Sequence, residues 1–484
     1  MRKNKQIILQ EIRMRAALKC SRKKNRRRKQ KRNDRNIVQP RQIVSVPRKF
    51  RRIKSTNSIG HTSVSPYKKE CLRRFLPSNL RYLLETPGSP FLLKDIQKKN
   101  KPTNGVVSIP PKFSIIDTPE ESYDALRKII YALLIEDIDR LTLDYANCES
   151  TELSTQVLLD IILKDYVHFK KICRNNYRIK KDIFPQFGGI NINNKELKEM
   201  MWSVGSPATL GIAKREYDNV VEYPLRIHSI ENNTSEQKRM NQKELDTTEL
   251  IDYVITCLGK MNKKLTPQKR DDLCTVIGEI LINAEEHSTT NKRFSIGFFR
   301  DYDDNNNHCG LFRLVILNFG RTIYEKFKSD DCPNKDIVKK MLDLSNKYTK
   351  KLLFLKGEFE EENLWTLYAL QEGVTSVSTN NYKRGNGSIR FIESFFNIKG
   401  NTKQDNISKM TLLSGNTKII FDGRYNIVKK NKNNETFRVM AFNNDGDIEC
   451  KPDSKCVCKT NNYFPGTMLS VKLLLNEDDI QEIK

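Results

Sequence analysis

The stretch Ile277–Ser288, IGEILINAEEHS, sets polar and charged residues into an otherwise apolar run. At about 100° per residue, Leu273, Ile277, Ile280, Leu281 and Ala284 share one face of a helix. Glu279, Asn283, Glu286 and His287 then form a stripe along its edge. Such a stripe, bordering a buried face, suits the wall of a polar pocket. The same spacing also suits a partly exposed amphipathic helix, so the segments that follow must decide between the two.

Two strand-like runs come next, RFSIGFF (293–299) and LFRLVILNFG (311–320), the second ending in the turn Asn318-Phe319-Gly320. After a long intervening segment, RGNGSIRFIESFF (384–396) places a Gly-x-Gly ahead of a helix with Ile389, Ile392 and Phe396 on its inner side. Exposed backbone amides at a glycine-rich helix start attract anions, phosphate included. Two further strands, MTLLSGNTKIIFDG (410–423) and FPGTMLSVKLLL (464–475), close the series. The order describes an α/β sandwich with a cleft of nucleotide size.

These motifs, over roughly residues 240–475, resemble the GHKL ATPases, the fold of gyrase, the large heat-shock chaperones, mismatch-repair ATPases and histidine kinases. By that resemblance Glu279-x-x-x-Asn283 matches the N box. Asn283 is then the Mg²⁺ ligand at the ATP phosphates, Glu279 the catalytic base, and His287 lies at the pocket rim. LNFGRTI is similar to the first glycine box, with Asn318, Gly320 and Thr322, and RGNGSI to the second, with Arg384, Gly385, Asn386 and Gly387 at the triphosphate. The segment from 321 to 383 corresponds to the ATP lid, and Thr467 of FPGT to the threonine that helps hold adenine. One departure stands out: Asn318 and Thr322 occupy positions where the family has aspartate and glycine. An asparagine still accepts a hydrogen bond from the adenine amino group, but without charge, which implies weaker affinity or a relaxed base preference.

Residues 106–230 alternate strand and helix patterns: EESYDALRKIIYALLIED, RLTLDYAN, STELSTQVLLDIILKDY, GGINI and KELKEMMWSVG. A small α/β domain is expected there. LTLDYANC running into TELSTQVLLDIIL resembles the STAS-like domains of bacterial regulators, in which a hydroxyl at this turn can be phosphorylated. Ser150, Thr151 and Ser154 are the candidates, and helix capping is the alternative role. ENNTSEQKRMNQKE lacks apolar periodicity and reads as a linker, over 231–245. His228, in RIHSIENN, is not on a recognisable helix, so a dimerising helix with an acceptor histidine is not expected.

The charge is concentrated at one end. Residues 1–60 hold 22 Lys and Arg against 2 Asp and Glu, a net +20 of the chain's +27. With few aromatics or apolar periodicities, residues 1–105 are expected to be a mostly disordered or partly helical arm. The cationic run attracts phosphate backbones whatever their sequence, so RNA or DNA is a candidate partner. No apolar run approaches the roughly 20 residues of a membrane span, and the chain reads as soluble and cytoplasmic. Eleven scattered cysteines point to reduced thiols, and Cys450, Cys456 and Cys458 lack the paired spacing of a zinc site.

The sequence thus predicts an α/β (α+β) protein: the basic arm, a STAS-like domain over 106–230, the linker, a two-layer GHKL-type sandwich over 246–476 and a tail at 477–484. Its leading function is a regulator in which Mg²⁺-ATP orders a lid and switches contact with a protein partner or a second copy of the chain. A nucleic-acid-binding protein gated by the ATP module, and an interaction scaffold with a degenerate pocket, are the alternatives.

Overall fold

The structure, a computed structural model, describes residues 66–177, 185–229, 236–286, 288–304, 307–349, 359–375, 387–399, 406–432 and 435–476. The basic run, His287, Arg384, Gly385, Asn386 and the tail at 477–484 lie outside them. Described residues up to Cys173 and from Pro185 onward belong to one compact unit of mixed helices and sheets.

Three short helices come first: α1 (Pro66–Phe75), α2 (Ser78–Glu85) and α3 (Leu93–Lys99). Leu80, Leu83, Leu84, Phe91 and Ile96 are buried. The second half of the expected arm is therefore packed structure. Its short apolar stripe at Leu80, Leu83 and Leu84 gives these helices one face to bury, which tertiary packing then stabilises.

Next come β1 (Val106–Ser108), β2 (Lys112–Phe113), α4 (Pro119–Tyr131), β3 (Arg140–Asp144), β4 (Ser150–Thr151), α5 (Leu153–Tyr177), β5 (Gln186–Ile190), α6 (Lys195–Ser203) and the single turn α7 (Ser206–Thr209). Strands β1, β3 and β5 pair in parallel in that order, as strands joined by helical crossovers must. The expected α/β alternation is present up to this point.

The C-terminal sheet is built from β6 (Val220–Ser229), β7 (Lys292–Asp304), β8 (Asn307–Phe319), β9 (Lys409–Phe421) and β12 (Val457–Asn476), in the order β6-β7-β8-β12-β9 with every pair antiparallel. Strand β6 was expected with the preceding domain, yet it is the edge of this sheet. Pro224 suits an edge because it offers no amide to a ladder, and the β6–β7 register shifts between Tyr223 and Arg226. Between β6 and β7 lie α8 (Glu236–Lys260) and α9 (Pro267–Glu286). Ten residues of the expected linker, 236–245, are the first turns of α8. Their Gln, Lys, Glu and Met are good helix formers, and a helix already fixed by buried Leu250, Ile251, Val254 and Leu258 extends through them cheaply.

The segment read as a lid holds α10 (Ile323–Lys328), α11 (Lys335–Thr349) and α12 (Glu361–Ala369). Phe327, Met341, Leu364, Trp365 and Leu367 belong to the main core, so this part of the segment is a packed helical layer and not a loose loop. Helix α13 (Gly387–Lys399) packs beside α9, and β10 (Val428–Lys432) pairs with β11 (Glu435–Val439) in a hairpin the sequence did not announce.

Side-chain alternation separates the two faces of the five-stranded sheet. Phe299, Phe312, Leu314, Ile316, Leu412, Leu469, Val471 and Leu473 face α8, α9 and α13. Gly297 lets α8 come close, since a Cβ there would stand 2.5 Å from the Tyr253 ring. The opposite face carries Arg300 and Arg313, which pair with Glu199 (2.6 Å from Arg300) and Glu196 of α6. Lys472 meets Glu152 at 3.4 Å and Lys409 meets Asp117 at 2.8 Å on the same side. The sandwich expected to have two layers is thus covered on both faces, the second by the preceding α/β segment.

Candidate functional site

Strand register brings a polar residue from every strand of the sheet into one row. His228 of β6 pairs with Arg293 of β7, Arg293 with Asn318 of β8, Asn318 with Thr467 of β12, and Thr467 with Ser414 of β9. Asn318 shares its face with Phe312, Leu314 and Ile316, Thr467 with Leu469 and Val471, and Ser414 with Leu412. The row therefore lies on the helix-covered face, at the end of an otherwise apolar layer.

Half of the row is paired by charge, although His228 Nε2 has no hydrogen-bond partner among the described residues. Arg293 contacts Asp246 of α8 at 2.6 Å and Glu285 of α9 at 3.5 Å, and His228 lies 3.4 Å and 3.3 Å from the same two carboxylates. Gln242 donates a further hydrogen bond to Asp246 at 2.8 Å. Burial by itself raises the Asp246 pKa, but His228, Arg293 and Gln242 together hold it below the ordinary carboxylate value.

The other half is not paired by charge. Asn318 is 1% exposed, and its Nδ2 has no hydrogen-bond partner among the described residues. Beside it, the Ser414 hydroxyl accepts from the Ile323 amide at 2.9 Å, with Thr467 Oγ1 3.1 Å away and the Gly466 carbonyl at 3.2 Å. Gly466, at φ +147°, makes this arrangement possible: a Cβ there would lie 2.1 Å from the Asn318 carbonyl oxygen. Only glycine allows β12 to approach β8 so closely at this point.

The helix bearing the opening motif is anchored to the same end of the sheet. Just past α9, the Thr289 amide and the Ser288 hydroxyl donate to the Phe319 carbonyl at 3.0 and 3.3 Å. Arg321 N–H donates to Thr289 Oγ1 at 3.2 Å. Asn283 lies in the last turn of α9, which ends at Glu286. Leu273, Ile277, Leu281 and Ala284 are buried as the pattern predicts, Ile280 only partly so; Val276, outside the pattern, is buried too, and Glu279 and Asn283 are half-buried along the edge. Burial raises the Glu279 pKa, an effect opposed by Arg390 on α13 and Lys243 on α8. Its carboxylate is a better proton acceptor than an ordinary glutamate's. Arg390 Nε is itself buried with no hydrogen-bond partner among the described residues.

The structure thus brings Asn318 and Thr467 together and ties the chain just past α9 to the same end of the sheet, while Glu279 lies near Arg390 of α13, the helix that Gly387 opens. Thr322 stands beside the row, since the next residue's amide donates to Ser414, but its hydroxyl is turned to another task. That hydroxyl is fully buried and caps α10, accepting from Glu325 N–H at 3.1 Å while the Glu325 carboxylate accepts from Thr322 N–H at 2.8 Å. Gly320 is buried with its amide on the Pro465 carbonyl at 3.3 Å.

Sequence reasoning missed Ser414, Arg293, Arg390 and Lys243. One signal was available for Ser414: it continues the period-two series Met410, Leu412 as a polar residue at an apolar position. Arg390 had no such signal, because its role depends on α13 packing against α9. The phosphorylation candidates lie elsewhere. Ser150 and Thr151 form β4, and only Ser150 is exposed, while Ser154 is fully buried one residue inside α5. Helix α5 starts at Leu153, so Glu152 and not one of these hydroxyls holds the cap position. Further along α5, Asp160 is fully buried against Gln156 Nε2 (2.7 Å) and the Ser206 hydroxyl, and burial pushes its pKa up to about 7.

Among the described residues no three His, Cys, Asp or Glu side chains form a metal cluster, and no helix is long and apolar enough to cross a membrane. No family model matches the chain, and neither a curated protein nor a solved structure matches it.

Proposed function

We propose that this chain is a regulatory protein of GHKL type that binds Mg²⁺-ATP at the end of the five-stranded sheet. The observation that carries this reading is the buried, unpartnered amide of Asn318 beside Thr467. A buried polar group without a partner costs about 1–3 kcal/mol, and a base edge would relieve that cost.

The donor set fits the metal as well. Mg²⁺ usually takes only one or two oxygens from protein and completes its octahedron with water and phosphate oxygens, so the amide oxygen of Asn283 suffices without a carboxylate cage. When bound, the ion neutralises phosphate charge. The amides of the glycine turn at 384–387 would hold the phosphates at the start of α13, and Arg390 adds a cation there. Glu279, made more basic by burial, would take a proton from an attacking water if the nucleotide is hydrolysed. Because α13 begins at the phosphate site and packs on α9, a bound nucleotide would fix one helix against the other. That packing change is the switch offered to a protein partner or to a second copy of the chain in the cytoplasm.

The test is thermal stability of the full chain with and without Mg²⁺ and ATP, beside Asn283→Ala. A ligand that binds only the folded state stabilises it by about 2.7 kcal/mol at a hundred times its Kd. A metal-dependent rise in midpoint, lost in the variant, is expected. No rise at millimolar ATP in a folded protein would sink the proposal. A second activity, contact with RNA or DNA, is supported by the net +20 of residues 1–60. It requires binding that weakens steeply with salt and disappears when those residues are removed.

A further inference from the structure

We infer that the pocket accepts 6-amino and 6-oxo purines alike, so that GTP serves as well as ATP. The inference rests on the nucleotide-binding reading above and names the ligand class of that site.

The argument starts from what does not hold Asn318. Its side chain is buried at the end of β8, Nδ2 is unpartnered, and no described residue hydrogen-bonds the amide in a way that fixes which end is oxygen and which is nitrogen. The nearest members of the row are equally ambivalent. Thr467 carries a hydroxyl that donates or accepts, and Ser414, already accepting from Ile323 N–H, can pass its proton to Thr467 or to the Gly466 carbonyl. The fixed charge of the row, Arg293, is tied to Asp246 and Glu285. The Glu362 carboxylate near the adjoining Gly415 turn is likewise taken up, accepting from Asn416 N–H at 2.7 Å and Asn416 Nδ2 at 3.1 Å.

A purine brings its own pattern to such a site. Adenine presents an N6 donor beside the N1 acceptor, whereas guanine presents an O6 acceptor beside the N1–H donor. Over these two positions the edges are reversed copies of each other, and guanine adds a second donor, its N2 amino group, beside N1–H. A primary amide has one acceptor and one donor end, so a half-turn about its last bond matches it to either edge. An ionised carboxylate only accepts, so it meets the adjacent N1–H and N2–H donors of guanine with both oxygens but sets an oxygen against the lone pair of adenine N1. With no protein partner to choose the amide's sense, the ligand chooses it.

The experiment measures Kd for Mg²⁺-ATP and Mg²⁺-GTP on the full chain and on Asn318→Asp. Values within about threefold of each other are expected for the native chain. The carboxylate variant should favour GTP by more than about tenfold, because the mismatched adenine edge leaves buried polar atoms unpaired. If ATP binds and GTP binds at least tenfold more weakly, the inference fails while the nucleotide reading stands. If neither binds, the reading fails and takes the inference with it. An unchanged ratio in a folded Asn318→Asp protein would show that the amide does not read the base. Should that variant not fold, the native ratio alone decides.

Discussion

The two halves of the polar row that crosses the sheet are built from similar residue types and end in opposite states. At the β6–β7 edge, Arg293 and His228 face Asp246 and Glu285, so two basic side chains meet two carboxylates in a nearly dry space. Toward β8, β12 and β9, Asn318, Thr467 and Ser414 face no charged group, and an amide nitrogen is left without a partner. Burial penalises an isolated polar atom whichever half it occupies. The closed half meets most of that penalty with charge from inside the protein, although His228 Nε2 has no hydrogen-bond partner among the described residues; the open half has no charge to offset the unpartnered Asn318 amide. On that difference rests the proposal that the open half is the ligand side of the sheet.

Removing one member from each half should break this symmetry in opposite directions. Arg293 is 2% exposed and stands between two carboxylates. Arg293→Met keeps the bulk and strands Asp246 and Glu285 with His228 alone, and losing one partner of a buried ion pair typically costs 3–5 kcal/mol. Asn318→Leu removes a group that gains nothing from the apo protein. It should leave stability unchanged or raise it by up to about 1 kcal/mol, while abolishing nucleotide-induced stabilisation. Urea unfolding of both variants measures the contrast. Equal losses in the two would mean that the Asn318 amide is as well satisfied as the arginine, and the open half would not exist.

Much of the open half's scaffold was legible in the sequence, and the row itself was not. The apolar face of α9 appears in Leu273, Ile277, Leu281 and Ala284, and strands β7, β8, β9 and β12 in their runs of β-formers. These are local periodicities, which a single window carries. The pairing of Asn318 with Thr467, and of Thr467 with Ser414, is a matter of register between strands far apart in the chain. A one-residue slip would turn every side chain to the other face, and nothing in one strand alone states which register wins. Strand β6 was misassigned for the same reason, since its partner β7 lies beyond two intervening helices. The first turns of α8 failed differently: their residues are polar enough to resemble a linker, and the packing that fixes the helix comes from Leu250 onward.

The finest distinction between the halves is in how each responds to pH. Asp246, in the closed half, has a folded-state pKa below its ordinary value, despite burial, because His228, Arg293 and Gln242 favour the charged form. Its contribution is therefore present above the ordinary aspartate range and is lost as pH falls through the depressed folded value. Glu279, on the pocket edge, is raised by burial against the opposing pull of Arg390 and Lys243. The folded protein then holds a proton that the unfolded chain has released, so that contribution is complete below the ordinary glutamate range and is lost as pH rises through the raised value. Asp246→Asn should flatten the acid side of a stability profile, and Glu279→Gln the stretch just above the ordinary glutamate range. The second effect is the smallest expected, under about 1 kcal/mol, because the Glu279 side chain is only partly buried and water still screens it. Urea midpoints taken across both ranges give the two slopes. Slopes of the same sign would mean that Glu279 is held by Arg390 as Asp246 is by Arg293, which would make it a paired structural carboxylate and remove it as the base.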